Sequence, residues 1–112
     1  MVINWQECLQ MADNREGVAR EILAAFVAEL PETAQAIREA SQKPRSASLL
    51  SVVHRLHGGC CYTGVPNLKA SAHALETALH QAQSEPVPLV SRLLDDIDAV
   101  LLDYQKHFST TD

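Results

Sequence analysis

Apolar residues recur along this chain at spacings of three and four, and nowhere do they alternate at two. A period near 3.6 marks an amphipathic helix, whereas a half-buried strand needs a period of two, so the pattern restricts the chain to an all-α architecture. Turn-forming residues cut the pattern into segments. A short first helix is expected to start at Asn4, with Glu7 three residues on as its capping partner, and to end near Met11. Asp13 and Glu16 repeat that spacing and open a second helix, whose apolar face reads Ile22, Phe26, Leu30, Ala34 and Ile37. Pro31 interrupts the stripe and predicts a kink rather than a break, because the stripe continues beyond it.

The stretch Gln42–Ser48 has loop and cap composition, and a third helix follows from about Ser46 to Thr63. Gly64 and Pro66 mark a tight turn into a fourth helix, which runs to about Gln83 on Leu68, Ala72, Leu75 and Leu79. After a break at Ser84–Pro88, the last helix carries Val90, Leu94, Ile97, Leu101, Tyr104 and Phe108. One short helix and four amphipathic ones joined by short loops predict an antiparallel four-helix bundle with an additional N-terminal helix.

Composition excludes several function classes. A length of 112 residues suits one domain, 1–112, with a real core at 46% hydrophobic residues. The 14 acidic and 9 basic residues give a net charge of -5, which argues against nucleic acid as a partner. Aromatics make up only 4%, too few for a base-stacking platform. No apolar run approaches the roughly 20 residues that span a bilayer, so no membrane contact is expected of this segment. The N-terminus carries no basic stretch followed by an apolar one, as a secretion signal would. Cys8, Cys60 and Cys61 form an odd set with two adjacent members, a poor disulfide framework that fits free thiols in a reducing, cytoplasmic setting. Cys60 and Cys61 read as packing residues.

The chemistry concentrates on the third and fourth helices. On a wheel advancing about 100° per residue, with Leu56 facing the core, Leu49, Val52, Val53, Gly59 and Cys60 fall within about 60° of it. His54 lies about 160° away, on an outer side shared with Leu50, His57 and Cys61. Gly58 follows His54 by one turn on that face, and an interior helical glycine costs about 1 kcal/mol relative to alanine. A bare position beside a histidine lets another protein approach the imidazole. On the fourth helix Lys69, His73, Glu76 and His80 form one polar stripe. With the turn at Gly64–Pro66, antiparallel pairing sets His54 level with Glu76 and His57 level with His73. The wheels leave open whether the two stripes turn towards each other. Leu50 and small residues near it would supply the apolar part of a docking surface.

The run from His54 through Arg55, Leu56, His57, Gly58, Gly59, Cys60, Cys61, Tyr62 and Thr63 to Gly64 resembles the signature of histidine phosphotransfer (HPt) domains. That signature has a histidine, a basic residue three positions on, and glycines at four and ten. The continuation Val65-Pro66-Asn67-Leu68-Lys69 with Glu76 is similar to the C-terminal HPt domain of BarA/GacS-type hybrid sensor histidine kinases, as are Asn4-Trp5-Gln6 and Leu30-Pro31-Glu32. The resemblance implies an HPt-type bundle in which His54 is the phosphoacceptor. It implies that Glu76 orients the reactive imidazole, and that His73 matches a neighbouring histidine of the chemotaxis-kinase version. His57 stands where most members have lysine; its charge near neutral pH is conditional, since an ordinary histidine titrates near 6.5.

The expected function is therefore a phosphorelay intermediate that takes a phosphoryl group onto His54 from a receiver-domain phosphoaspartate and passes it to a response-regulator receiver. Gly58, Leu50, Arg55, Cys61, Lys69 and His73 would touch the phosphoryl group or the partner. No Gly-rich phosphate loop is present. The chain is thus expected to lack a kinase site and any cofactor of its own, with Mg²⁺ supplied by the partner receiver. It fits a free-standing protein or the cytoplasmic C-terminal part of an inner-membrane sensor kinase. Two rivals remain: a metal-binding helical bundle, or a pure protein-interaction domain, using the His54, His57, His73 and Glu76 patch. Against the metal reading, these residues sit on outer faces and Gly58 serves no ligand purpose, so no metal ligands are assigned.

Overall fold

Asn4 caps the first helix as its spacing to Glu7 predicts, its side chain accepting a hydrogen bond from the Glu7 N–H. The computed structural model describes residues 2–43, 47–81 and 86–108, and the elements within them are all helices. They are α1 (Trp5–Met11), α2 (Glu16–Ala40), α3 (Ala47–Cys60), α4 (Pro66–Gln81) and α5 (Val87–His107). Residue 46, where α3 was expected to begin, and residues 82–85, where the end of α4 and the next break were expected, lie wholly or partly outside the described residues.

Each long helix packs on two others: α2 against α3 and α5, and α4 against α3 and α5. The four thus close into a bundle, with α1 laid against α2. The core is built from the facing stripes, including Leu23, Leu30 and Ile37 of α2, Leu49, Val53 and Leu56 of α3, Leu68 and Leu75 of α4, and Leu93, Ile97 and Val100 of α5. Each such side chain removed from water stabilises the fold by about 1.5–3 kcal/mol.

The structure corrects the sequence reading at three places. Asp13 does not cap α2, whose N-cap is Arg15 without a side-chain hydrogen bond. Instead Asp13 and Asn14 take left-handed backbone, at φ 57° and 60°. The Asn14 N–H bonds Leu9 O at 2.7 Å and the Asp13 N–H bonds Gln10 O, which closes the end of α1. Asp and Asn tolerate this conformation better than most residues, so the pair terminates one helix rather than starting the next. The buried line of α2 runs through Ala19, Leu23 and Val27, while Ile22 and Phe26 are half-buried beside it. Contact with α1, α3 and α5 widens the buried arc beyond a single stripe. Helix α2 continues unbroken through Pro31, as the continuing stripe predicts, and Pro31 lies on its exposed face. Finally, α3 stops at Cys60, and residues 61–63 turn through short-range bonds such as Cys61 N to Gly58 O at 3.1 Å.

That turn is clamped against the N-terminus. The Asn4 N–H donates to Gly64 O at 2.8 Å, and the Gly64 N–H points to the Cys8 sulfur at 3.3 Å. A Cβ on Gly64 would run into Asn4 O and Cys8 N. Close approach, not a left-handed φ, is therefore what demands glycine here. The Ile3 N–H donates to buried Asp103 of α5 at 2.7 Å, and Trp5 packs between Arg20 of α2 and Phe108. These contacts tie the turn between α3 and α4 to α1, and the N-terminal segment to α2 and α5.

Candidate functional site

The register brings the polar stripes of α3 and α4 together. His54 projects from the middle of α3 with 76% of its side chain exposed, while Glu76 opposite it is 12% exposed. The Nδ1 of His54 donates a hydrogen bond to Glu76 Oε2. The other carboxylate oxygen is also engaged: His57 Nδ1 lies 3.2 Å from Glu76 Oε1. One glutamate thus braces two imidazoles a turn apart. His73, one turn before Glu76, sets its ring 5.2 Å from that of His57.

The electrostatics follow from this geometry. Burial alone would raise the Glu76 carboxyl, but the His54 hydrogen bond and the charges of His54, His57 and His80 outweigh it and hold the group below the usual 4.5. Glu76 is therefore an anion at neutral pH. A carboxylate can only accept, so it fixes the hydrogen of His54 on Nδ1 and leaves Nε2 bare and outward. With the hydrogen held on Nδ1, the available lone pair is the one on the outer nitrogen. Around it the surface is open: Gly58 is exposed, and a Cβ placed there would meet nothing within 4 Å.

The same residues place the chain among known proteins, because residues 21–104 match the Hpt domain family. The chain belongs to the Hpt domain family. This Hpt domain is 30% identical over 106 residues to the signal transduction histidine-protein kinase BarA of Escherichia coli K12, a match covering 93% of the chain and 12% of BarA. It is 31% identical over 102 residues to the sensor protein GacS of Pseudomonas syringae, covering 91% and 11% of the two chains. The Hpt domain therefore spans about an eighth or less of the length of these relatives. Among solved structures, it is similar to the Hpt domain of a hybrid histidine kinase from Shewanella, with a TM-score of 0.82 and 32% identity over 96% of this chain and 97% of that one. Histidine-containing phosphotransfer protein B of Pseudomonas aeruginosa shares the fold, with a TM-score of 0.78 at 17% identity over 94% and 92% of the two chains. Family membership decides for a phosphorelay role over a metal-binding bundle or a bare interaction domain. No helix among the described residues is long and apolar enough to cross a membrane.

The remaining candidate residues of the Hpt domain divide by position. Lys69 lines a recess with His57, His73 and Glu7, beside the His54–Glu76 pair. Arg55 does not join them. It lines a separate groove with Phe26, Glu29 and Glu32, on the side of α3 that faces α2. Cys61 is exposed in the turn beyond α3. Leu50 is half-buried rather than freely exposed, because α3 is flanked by α2 on one side and α4 on the other. Cys60 is buried, and its thiol is pushed up to about 12, first by burial and then by the adjacent Cys61, so it offers no thiolate.

Two features of the site were not read from the sequence. Equal spacing from the turn paired His57 with His73, but not with Glu76 as well; a carboxylate with two oxygens reaches both rings, which residue spacing does not reveal. Glu7 enters the recess from α1, and nothing in its own helix signals that, since the approach depends on where α1 docks.

Proposed function

We propose that this Hpt domain is a phosphorelay intermediate in which His54 receives a phosphoryl group from the phosphoaspartate of one receiver domain and delivers it to another. The observation that carries the reading is an exposed imidazole whose inner nitrogen is tied to a carboxylate, leaving the outer nitrogen free on an open surface. His54 Nε2 attacks phosphorus in line with the aspartyl oxygen. The N–P bond forms as the P–O bond breaks, and the electron pair leaves on the aspartate carboxylate. The Nδ1 hydrogen stays with His54, where Glu76 stabilises the cationic ring. Delivery to the next receiver is the same step reversed.

Because the developing charge lies on the phosphoryl oxygens, catalysis is mostly positioning and electrostatics. His57, His73 and Lys69 would contribute from the α4 side, and Gly58, Leu50 and Cys61 would meet the partner. Arg55 would serve the partner from its groove on the α2 side. The receiver would supply Mg²⁺ and the acidic pocket, so this domain needs no cofactor. In the relatives the corresponding segment belongs to a sensor kinase, which makes the receiver of such a kinase and a response-regulator receiver the expected partners.

The test is transfer of label from a phosphorylated receiver to the intact chain and to His54→Gln. Acid-labile, alkali-stable label on the intact chain, and none on the variant, is expected. Equal labelling of both would move the acceptor to another histidine.

A further inference from the structure

His57, His73 and Glu76 bring two imidazoles and a carboxylate to one point, with a ligating atom of each within 4.8 Å of the others. The sequence reading assigned no metal ligands because both stripes lie on outer faces of their helices. The structure turns those faces towards each other. In a tetrahedral zinc site, metal–ligand distances of about 2.0–2.2 Å put neighbouring ligand atoms roughly 3.3 Å apart. His57 Nδ1 and Glu76 Oε1 already stand 3.2 Å apart. The third ligand needs only a side-chain adjustment, since His73 is exposed and sits one turn from Glu76 on the same helix. Two histidines and one glutamate, with a fourth position left to water, form a donor set that zinc accepts.

We propose that His57, His73 and Glu76 bind a zinc-class divalent ion whose occupancy slows phosphoryl transfer at His54. The donor set selects against the Mg²⁺ that a receiver uses, because Mg²⁺ demands oxygen ligands and keeps its waters, whereas imidazole suits zinc, copper and nickel. An ion held there draws the Glu76 charge away from His54 Nδ1, which lowers the basicity of the outer nitrogen. It also occupies His57 and His73, removing them from the phosphoryl oxygens. The consequence for transfer rests on the relay reading; the binding does not.

The experiment titrates the intact chain with zinc chloride by calorimetry in a non-chelating buffer, beside His73→Ala and His107→Ala. His73 is exposed, so its truncation leaves the core untouched, and His107 is a control paired with Asp103 on α5. One saturable zinc ion per chain is expected, weakened at least about tenfold in His73→Ala and unchanged in His107→Ala. No saturable binding, binding undiminished in His73→Ala, or binding lost in His107→Ala would overturn the site. Transfer from a phosphorylated receiver is then timed with zinc and after its removal by chelation. Zinc should slow the intact chain reversibly, and should slow His73→Ala much less relative to that variant's own zinc-free rate, using the same receiver. Unchanged or faster transfer in the zinc-loaded intact chain would overturn the inhibitory role. A chain that shows no transfer without zinc would instead count against the relay reading, and calorimetry would still decide the metal site.

Discussion

The open face around His54 and the closed junction around Gly64 use the same residue types to opposite ends. Each has a glycine at a decisive place. Gly58 faces open space, while Gly64 is pressed against the backbone of Asn4 and Cys8. Each region also has a carboxylate with little exposure. Glu76 stands between two titratable rings, whereas Asp103 takes its hydrogen bond from the backbone N–H of Ile3, with the His107 ring farther off at 3.7 Å. A carboxylate hydrogen-bonded to a backbone N–H holds structure through a partner that takes no part in chemistry. One bonded to imidazoles shares its charge with groups that can react, so its energy is available to chemistry. The comparison separates residues that shape the scaffold from residues that shape reactivity, and it does so by partner rather than by residue type.

The sharpest way to break that division is at its glycines. Gly64→Ala should destabilise the fold by about 3 kcal/mol, because its methyl is opposed by backbone rather than by a mobile side chain. Denaturant unfolding would read this as a fall in midpoint, while the transfer rate of the folded fraction stays near that of the parent. Gly58→Ala should do the reverse. With nothing to meet and a better helix former in place, stability should rise by about 0.5–1 kcal/mol, seen as a melting increase of a few degrees. Transfer should slow, because the methyl stands one turn from His54 on the face a receiver must approach. If Gly58→Ala transfers at the parent rate, the bare position is simple tolerance and the contrast with Gly64 loses its functional half.

The smallest expected stability effect sharpens the carboxylates. Since the folded-state carboxyl of Glu76 lies below its usual 4.5, its ionised form contributes stability above that value, and the contribution is lost as pH falls through the lower folded value. Glu76→Gln should therefore flatten the acid side of the stability curve below about pH 4.5, by less than about 1 kcal/mol given the partial exposure of its partners. Its amide oxygen can still accept from His54 Nδ1, so geometry is kept while charge is removed. Transfer should drop about tenfold at neutral pH. An acid limb that keeps its slope in Glu76→Gln would mean the imidazoles contribute nothing to the carboxylate in the folded state.

Much of this arrangement was legible in the letters. Helix periodicity is a property of neighbours three and four apart, so the segments between Trp5 and Phe108 and the outward direction of His54 follow from local spacing alone. Because the Gly64–Pro66 turn is short, equal spacing from it also predicted that His54 and Glu76 stand level. The Asp13-Glu16 spacing misled, because a cap signature and a left-handed helix end use the same residue types, and only the hydrogen bonds to Leu9 and Gln10 distinguish them. A wheel with one core direction turns Leu50 outward, whereas α3 has helices on two sides and leaves it half-buried.

What the chain could not declare was how far each helix turns about its own axis once packed. A stripe specifies which residues prefer burial, but several rotations bury a stripe almost equally well, and the choice among them is made by contacts between distant segments. Here the packing between the long helices and the contacts of the N-terminus make it together. Asn4 and Cys8 close on Gly64, which ties the turn before α4 to α1, and Ile3 ties to Asp103. The rotation that results sets His57 and His54 against the two oxygens of one glutamate. The presence of the reactive histidine was written in local order, while its electrostatic support arises only when helices far apart in sequence are fixed against one another.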